Sequence, residues 1–137
     1  MAYWLVKTEP TTYSYQDLEK EKKTSWTGVK NATAQQNIRK MKSGDQVLVY
    51  HTGGEKAVVG TAEVIKGAYL DPSDKTGKLS TVDLKPLKPL ALPVDLQTIK
   101  SNPTFKGWDL IRIGRLSVVE VPAPMWKQII SLGKGKS

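Results

Sequence analysis

One stretch of the sequence, residues 25–52, specifies a loop, a short helix, a turn and a strand in direct succession, and the other segments must pack around that unit. Thr33 and Gln36 have the spacing of a capping box, which predicts the start of the helix. Apolar residues then recur at i, i+4 and i+7, and a glycine that can adopt positive φ follows them. Segment 46–50 is typical of a buried strand. The apolar positions are Ala34, Ile38 and Met41, and the glycine is Gly44.

The rest of the chain contains more strand patterns than helix patterns. Strands are predicted at 3–6, 57–65, 79–87 and 116–121, and short helices at 14–21, 94–100 and 122–132. Gly60 indicates a bulge or a close backbone approach, and residues 70–77 an exposed, mobile loop. Pro86, Pro89 and Pro93 predict an extended connection. Because strands greatly outnumber βαβ units, we predict an α+β fold, a mixed and mainly antiparallel barrel with helices at its ends.

Length and composition are those of one ordinary globular domain. At 137 residues a single domain is expected, to which we assign residues 1–133, with 134–137 as a disordered tail. No apolar run approaches the roughly 20 residues that span a bilayer, and no secretory signal is visible. The absence of cysteine excludes disulfides, thiolate catalysis and cysteine-ligated zinc. We therefore expect a cytoplasmic protein, or a nuclear one in a eukaryote.

The sequence is strongly basic. It carries 21 lysine and arginine residues against 13 acidic ones, which gives a net charge of +8. Such an excess favours a polyanionic partner, although a lysine-rich soluble surface would give the same total. Lysine suits loose phosphate contact, whereas bidentate reading of guanine favours arginine, and the arginines are only Arg39, Arg112 and Arg115. The composition thus indicates contact with a nucleic-acid backbone.

Aromatic and polar side chains cluster at the two ends of the 25–52 unit. Trp26 precedes Gly28 in a polar loop, where a ring can stack on a nucleobase; the alternative is that Trp26 caps the barrel core. Tyr50 and His51 end the strand and face opposite sides, so only one can point inward without a bulge. Asn31 fits either a ligand contact or a helix cap. We expect a pocket for a flat ligand, a nucleobase, on Trp26 and around Tyr50.

Several motifs occur together and in a characteristic order. They are Tyr3-Trp4-Leu5-Val6-Lys7-Thr8-Glu9-Pro10, Trp26-Thr27-Gly28-Val29-Lys30-Asn31, Met41-Lys42-Ser43-Gly44-Asp45, Tyr50-His51-Thr52 and Arg115-Leu116-Ser117-Val118. With these motifs the chain resembles the EVE domain family over nearly its whole length. The resemblance implies a PUA-like pseudobarrel, related to the YTH and ASCH folds. It also implies a pocket that accepts modified bases, notably modified cytosines in DNA, after the base is extruded.

The same resemblance assigns candidate ligand-binding residues by position. They are Lys7, Thr8, Glu9, Trp26, Asn31, Tyr50, His51, Thr52, Arg115 and Ser117. Lys30 and Lys42 are the candidates for contact with the nucleic-acid backbone. The chain departs from the family pattern at Gln35, where arginine is common, and at Ile113-Gly114, which replace a polar pair. We expect one concave pocket lined by Trp26 and by Tyr50 or His51, with the backbone of residues 7–9 at its edge.

These observations predict a non-enzymatic module that recognises a modified nucleobase, with modified cytosine in DNA as the expected ligand. An RNA-binding PUA-like module is the alternative, because no sequence feature reports a 2′-hydroxyl contact. A nuclease- or glycosylase-like enzyme is a further one, but the chain has one histidine and no spaced His/Asp/Glu cluster, and Glu9 has no visible partner as a general base. We expect no metal, no cofactor and no membrane association, and a monomer whose partner is nucleic acid.

Overall fold

The computed structural model describes residues 2–134, in which short helices flank one mixed sheet. The strands are β1 (Tyr3–Thr8), β2 (Thr24–Ser25), β3 (Gln46–His51), β4 (Ala57–Leu70), β5 (Ser80–Asp95) and β6 (Val118–Glu120). The helices are α1 (Tyr15–Glu21), α2 (Ala32–Lys40), α3 (Leu96–Ser101), α4 (Asp109–Arg112) and α5 (Ala123–Gly133), with a 3₁₀ turn at Pro103–Phe105. Residues 135–137 of the expected tail lie outside the described residues. None of the described helices has the length and apolarity that a membrane crossing requires.

The strand order explains how distant segments meet. It runs β2-β5-β4-β3-β1-β6, and β1 pairs in parallel with β3, whereas the other strand pairs between residues 2 and 134 are antiparallel. The α+β class and the mainly antiparallel pairing are therefore confirmed. The parallel pair places the ends of β1 and β3 at the same edge, with Thr8 opposite His51. Its long crossover contains α1, β2 and α2.

All four tryptophans, Trp26 included, belong to the buried core. Trp4, Trp108 and Trp126 are all buried. Two of them also satisfy their indole N–H groups: Trp4 Nε1 donates to Asp45 Oδ2 at 3.0 Å, and Trp108 Nε1 donates to the Glu120 carbonyl at 2.9 Å. Because a buried indole needs a hydrogen-bond partner, these contacts fix the Trp4 ring to the Asp45 carboxylate before β3 and the Trp108 ring to the β6 backbone.

The first helix docks onto the sheet at a glycine. Ser14 and Asp17 form the capping box that starts α1, with the Ser14 N–H donating to Asp17 Oδ2 at 2.8 Å. Tyr15 then packs on Gly60, where an added Cβ would lie 2.4 Å from the ring. The Tyr15 hydroxyl donates to the Thr61 carbonyl at 2.7 Å. The close approach expected at Gly60 is confirmed, and the β4–β5 register also shifts there.

The second helix starts two residues earlier than its pattern suggested, with Asn31 rather than Thr33 as its N-cap. The expected capping box of Thr33 and Gln36 is wrong, because the Asn31 side chain caps α2 and accepts the Ala34 N–H at 3.0 Å. Of the two roles considered for Asn31, the helix cap is therefore the one its side chain performs. Gly44 has a φ of +96°, in line with its predicted role in the turn before β3.

Strands β4 and β5 run much further than their sequence patterns indicated. β5 contains Pro86, Pro89 and Pro93, which we expected in a connection outside the sheet. Proline cannot donate to a ladder, but the repeated register shifts of the β4–β5 ribbon accommodate it. In the described chain the outer side of β5 pairs only with the two residues of β2, so most of that side is an edge, where proline is tolerated.

The segment after Trp108 is helical, although the apolar and charged residues of Ile111-Arg112-Ile113 alternate as in a strand. Asp109 and Arg112 form an ion pair within α4, with Arg112 Nη2 and Asp109 Oδ1 2.6 Å apart, at the i,i+3 spacing that suits a helix. The strand predicted at 116–121 is shorter and spans only β6. Arg112 lies in α4 and Arg115 in the turn before β6, and both are exposed.

Candidate nucleic-acid interface

A cleft of about 550 Å³ opens where β1 ends, between the turn after that strand and the loop that carries Trp26. Ligand pockets typically measure about 300–1,000 Å³, so the cleft is large enough for a base. It is lined by Lys7, Thr8, Glu9, Thr12, Tyr13, residues 24–30 and Ser117. Below, this site is the Trp26 cleft, and residues 26–31 are the Trp26 loop.

Trp26 lines the cleft while most of its ring is covered. Its exposed fraction is 9%, and the Tyr13 ring meets it edge-on, with centroids 6.1 Å apart and planes at 84°. The Trp26 N–H donates to the Val82 carbonyl at 2.8 Å, which continues the β2–β5 pairing. The indole packs in the core, as the structural alternative expected, and it also borders the cavity; stacking on a base stays a prediction. Its uncovered part is therefore held in place before any ligand arrives.

Tyr13 is a cleft residue that the sequence analysis missed. Its phenol donates to the Glu21 carboxylate, and burial together with this hydrogen bond raises the pKa of Tyr13 to about 12. The Tyr13 carbonyl accepts the Thr8 hydroxyl at 2.6 Å, so the Thr8 side chain holds the turn. The available signal was an aromatic residue inside the polar run 11–14, the same pattern that marked Trp26.

Asp71 fastens the Trp26 loop from behind. It is 3% exposed and accepts the Gly28 N–H at 3.0 Å, at a position where Gly28 has a φ of +78°. The Ser73 hydroxyl and N–H also donate to Asp71, at 2.6 and 2.8 Å. Desolvation acts to raise the pKa of the Asp71 carboxyl, but the Ser73 and Gly28 hydrogen bonds hold that pKa below its ordinary value. The loop predicted at 70–77 is thus anchored at its start by a buried carboxylate.

Gln35 is a second buried side chain that holds the Trp26 loop in place. It is 2% exposed, and its amide donates to the Val29 carbonyl at 2.7 Å and to the Ser80 carbonyl at 3.0 Å. Its Oε1 accepts the Ser80 N–H at 2.8 Å. Gln35 stands where the family resemblance leads one to expect arginine, and here it joins α2, the Trp26 loop and the start of β5 through backbone groups.

Lys7 lies on the wall of the cleft at the end of β1. Its Nζ donates to the Gly114 carbonyl at 2.9 Å and lies 5.7 Å from the centroid of the Tyr50 ring. The Lys7 N–H donates to the Ser117 carbonyl at 2.9 Å, which joins β1 to the segment before β6. Burial lowers the pKa of the half-buried Lys7 amine. This lysine also lines a second cavity.

Glu9 ties the ends of β1 and β3 together. Its Oε1 accepts the Thr11 hydroxyl at 3.2 Å, and its Oε2 accepts the Thr52 hydroxyl at 3.2 Å. An added Cβ on Gly53 would lie 2.8 Å from Glu9 Oε2, so the carboxylate packs directly on that glycine. Both carboxylate oxygens therefore hold the protein's own chain in place.

The second cavity measures about 290 Å³ and lies on the other side of Lys7. It is lined by Lys7, Tyr50, Thr52, Gly53, Lys56, Leu96, Lys100, Leu110, Ile111 and Gly114. The expectation of one pocket shared by Trp26 and either Tyr50 or His51 is wrong, because Tyr50 and Thr52 lie on this second cavity. We call it the lysine cavity.

His51 serves the fold. It is 3% exposed, and its Nε2 accepts the Tyr15 N–H at 2.9 Å. Its Nδ1 lies 2.8 Å from Glu55 Oε1. Since both ring nitrogens are occupied by α1 and by the turn after β3, His51 lines neither cavity. His51 is therefore a structural hydrogen-bonding residue, which is the usual role of a lone buried histidine.

The remaining candidate residues are dispersed. Lys30 and Ser117 line the Trp26 cleft. Arg115 is exposed and lines neither the cleft nor the lysine cavity. Lys42 is also exposed, and it follows the C-terminal end of α2, whereas the Trp26 loop precedes the N-terminal end. Within residues 2–134 no group of three or more histidine or acidic side chains is arranged to hold a metal ion.

The mixed sheet with its parallel β1–β3 pair, and its short flanking helices, define a PUA-like α+β domain. The EVE domain model matches residues 2–132, and the chain belongs to the EVE domain family. Rat thymocyte nuclear protein 1 is 30% identical over 164 aligned positions, which cover 95% of this chain and 73% of that protein. The match to the human protein covers only 56% of its length.

Solved structures agree on the fold. The Rhodopseudomonas palustris protein Rpa0253 is 40% identical and superposes with a TM-score of 0.92, over 97% of this chain and 93% of that one. Human THYN1 protein in complex with DNA that contains 5-methylcytosine superposes with a TM-score of 0.90 over the full length of both chains. At 24% identity, that second likeness establishes the shared fold.

Proposed function

We propose that this protein binds nucleic acid by receiving an extruded, modified nucleobase in the Trp26 cleft, with modified cytosine in DNA as its ligand class. The observation that carries the proposal is the Trp26 indole, which is held in place at the wall of a cleft of about 550 Å³ in a chain of net charge +8. Membership of the EVE domain family supports it, as does the complex of the human THYN1 protein with 5-methylcytosine DNA.

The side chains of the cleft suit the energetics of base extrusion. Removing a base from its stack costs a few kcal/mol, which a new stack and edge hydrogen bonds must offset. Trp26 supplies the ring. The hydroxyls of Thr12 and Thr27 line the cleft and donate to no other group within residues 2–134, so they are available to the edge of a base. Val29 adds an apolar contact of the kind that a methyl substituent on the base requires.

The interaction we propose is binding without chemistry. The acidic side chain on the cleft wall is Glu9, whose two oxygens already accept hydroxyls of Thr11 and Thr52. A general base must point at the substrate, whereas these contacts hold the Glu9 carboxylate against Thr11 and Thr52. The expected monomeric state and the expected cytoplasmic or nuclear location stay predictions from the sequence.

A titration series tests the proposal. The parent protein, Trp26→Ala and the control Trp26→Phe are titrated with single- and double-stranded DNA and RNA, each with cytosine or 5-methylcytosine at one position. Trp26→Ala should lose roughly 1–3 kcal/mol, or about 5- to 150-fold, with the modified oligonucleotide and much less with the unmodified one. Trp26→Phe should keep most of the preference, because a ring remains.

Two outcomes would contradict the proposal in different ways. If Trp26→Ala weakens modified and unmodified ligands equally, the cleft does not read the base. If the parent prefers RNA over DNA of the same sequence, the cleft serves an RNA-binding module that contacts the 2′-hydroxyl.

A further inference from the structure

The lysine cavity has a lining unlike that of the Trp26 cleft. Three of its residues are lysines, Lys7, Lys56 and Lys100, and no acidic residue lines it. Apolar side chains of α3 and α4 complete its wall. Three like charges around a cavity of about 290 Å³ repel one another unless an anion lies between them.

Within residues 2–134, the ammonium groups of these lysines use few of their hydrogen-bond donors. Lys7 Nζ carries three donors and uses one, on the Gly114 carbonyl at 2.9 Å. Within residues 2–134, neither Lys56 nor Lys100 takes part in an ion pair or a side-chain hydrogen bond. Of the nearby carboxylates, Asp95 accepts the Thr98 N–H at 2.7 Å as the cap of α3. Glu9, as described above, holds hydroxyls on the other side of Gly53. Within residues 2–134, no carboxylate therefore forms an ion pair with Lys7, Lys56 or Lys100.

The backbone conformation of Lys56 also indicates a binding site. Lys56 has a φ of +47°, in the left-handed region that favours glycine, and its carbonyl accepts the Leu96 N–H at 2.8 Å. A non-glycine residue held in this conformation is uncommon and is enriched at binding sites. The conformation fixes the point from which the Lys56 side chain leaves the turn after β3.

We infer that the lysine cavity binds a phosphodiester of the same nucleic-acid strand whose base enters the Trp26 cleft. The inference rests on the proposed function. Lys7 lines both cavities, so one side chain separates them, and neighbouring units of a single strand can occupy both. Lysine ammonium groups suit phosphate, and the apolar side chains Leu96, Leu110 and Ile111 suit the adjoining sugar. The charged cavity supplies attraction that is blind to base identity.

The test compares two pairs of lysines. The double variant Lys56→Gln/Lys100→Gln removes charge from the cavity, whereas Lys127→Gln/Lys134→Gln removes the same charge from α5 and its C-cap. That helix is a matched control, because Trp126 on it stacks on Tyr3 at the start of β1, with centroids 4.5 Å apart, whereas both cavities lie at the other end of that strand. The probe is a single-stranded DNA 12-mer, with cytosine or 5-methylcytosine at its centre, titrated between 50 and 200 mM salt.

The cavity variant should flatten the plot of log affinity against log salt by about 0.7, the value for one lost phosphate contact on a single strand. It should keep the ratio of affinities for the modified and unmodified 12-mers, and the α5 variant should keep the parent's slope. If the two double variants have the same slope, the inference is overturned and the base-reading proposal is untouched. If the parent shows no preference for the modified base but the cavity variant still flattens the slope, the base-reading proposal fails and the phosphate site stands.

Inorganic phosphate separates a strand contact from a free-anion site. Phosphate at millimolar concentration should not displace the 12-mer beyond the effect of its ionic strength, because the strand is also held at the cleft. If phosphate competes specifically, and does so in the parent but not in the cavity variant, the cavity is a site for a free anion and the strand assignment is wrong.

Discussion

The Trp26 cleft and the lysine cavity share Lys7 but differ in how they are built. The cleft depends on backbone placed by buried side chains, since Asp71 and Gln35 fasten the Trp26 loop through hydrogen bonds to its main chain. The lysine cavity depends on long side chains whose ammonium groups make, within residues 2–134, only the hydrogen bond from Lys7 to the Gly114 carbonyl. A ring that discriminates among bases must be preorganised, whereas an ammonium group that attracts phosphate need not be. In the function we propose, the Trp26 cleft supplies selectivity, and the lysine cavity, on the other side of Lys7, supplies affinity that does not depend on the base.

Asp71→Ala should give the largest effect and should act on the cleft alone. The substitution leaves the Gly28 N–H and the Ser73 N–H without their buried acceptor, which costs about 1–3 kcal/mol of the free energy of unfolding. The Trp26 loop should then lose its fixed position, and with it the preference for the modified base. Urea unfolding and oligonucleotide titration measure the two effects.

Asp74→Ala is the control for that substitution. Asp74 is partly exposed and accepts N–H groups of Thr76, Lys78 and Leu79 in the same segment, but it does not contact the Trp26 loop. It should leave base preference unchanged. If Asp71→Ala kept both the base preference and the parent's salt slope, the hydrogen bond between Gly28 and Asp71 would have no part in recognition.

Gly53→Ala should couple the two sites and so tests how separate they are. Gly53 has a φ of +76°, and its new Cβ would lie 2.8 Å from Glu9 Oε2. The backbone strain costs about 1–2 kcal/mol, and the Glu9 carboxylate must leave the Thr52 hydroxyl. Because Glu9 lines the cleft and Gly53 lines the lysine cavity, both base preference and salt slope should change.

Gly54→Ala supplies the comparison in the same turn. An added Cβ there meets no atom within 4 Å, and the residue does not have positive φ, so its effect should stay within about 0.5 kcal/mol. Equal unfolding free energies for the two alanine variants would show that the Gly53–Glu9 contact does not constrain the turn.

Lys56→Gly should change stability less than Gly53→Ala does, and with the opposite sign. Glycine adopts φ +47° without strain, so this variant should be more stable than Lys56→Gln by up to about 1 kcal/mol. Both variants remove the same ammonium group and should flatten the salt slope equally. Chemical unfolding and salt titration of the pair separate backbone strain from charge. A glycine variant no more stable than the glutamine variant would mean that the strain at this residue is negligible.

Local patterns in the sequence predicted the framework well. The strand at β1, the Ser14 cap of α1, the close approach at Gly60 and the core positions of Trp4, Trp108 and Trp126 all follow from residues near one another in the chain. The errors have the same origin. Alternation near Trp108 resembled a strand because the helix there is only four residues long, and the prolines of β5 hid a strand whose register shifts accept them.

The candidate site was only partly predictable, because its division into two cavities is a property of long-range contacts. Nothing in the sequence reports that Lys7 reaches Gly114, which places its side chain between the Trp26 and Tyr50 sides. The burial of Asp71 is equally hidden, since an Asp-Pro-Ser segment is typical of an exposed turn. The motifs of the EVE domain family brought Lys7, Trp26 and Tyr50 to attention, but the motifs do not carry their relative positions.

The position of β1 between β3 and β6 has a consequence for the folding pathway. Trp4 pairs with Val47 on one side and with Glu120 on the other, so the second partner of the first strand is separated from it by most of the chain. Non-local pairing of this kind slows folding, because the entropy of loop closure must be overcome before the contacts form. During synthesis, the side of β1 that faces β6 therefore lacks its partner until β6 leaves the ribosome. The segment that ends in Lys7 and carries the wall of both cavities is then among the last parts of the protein to acquire its final neighbours.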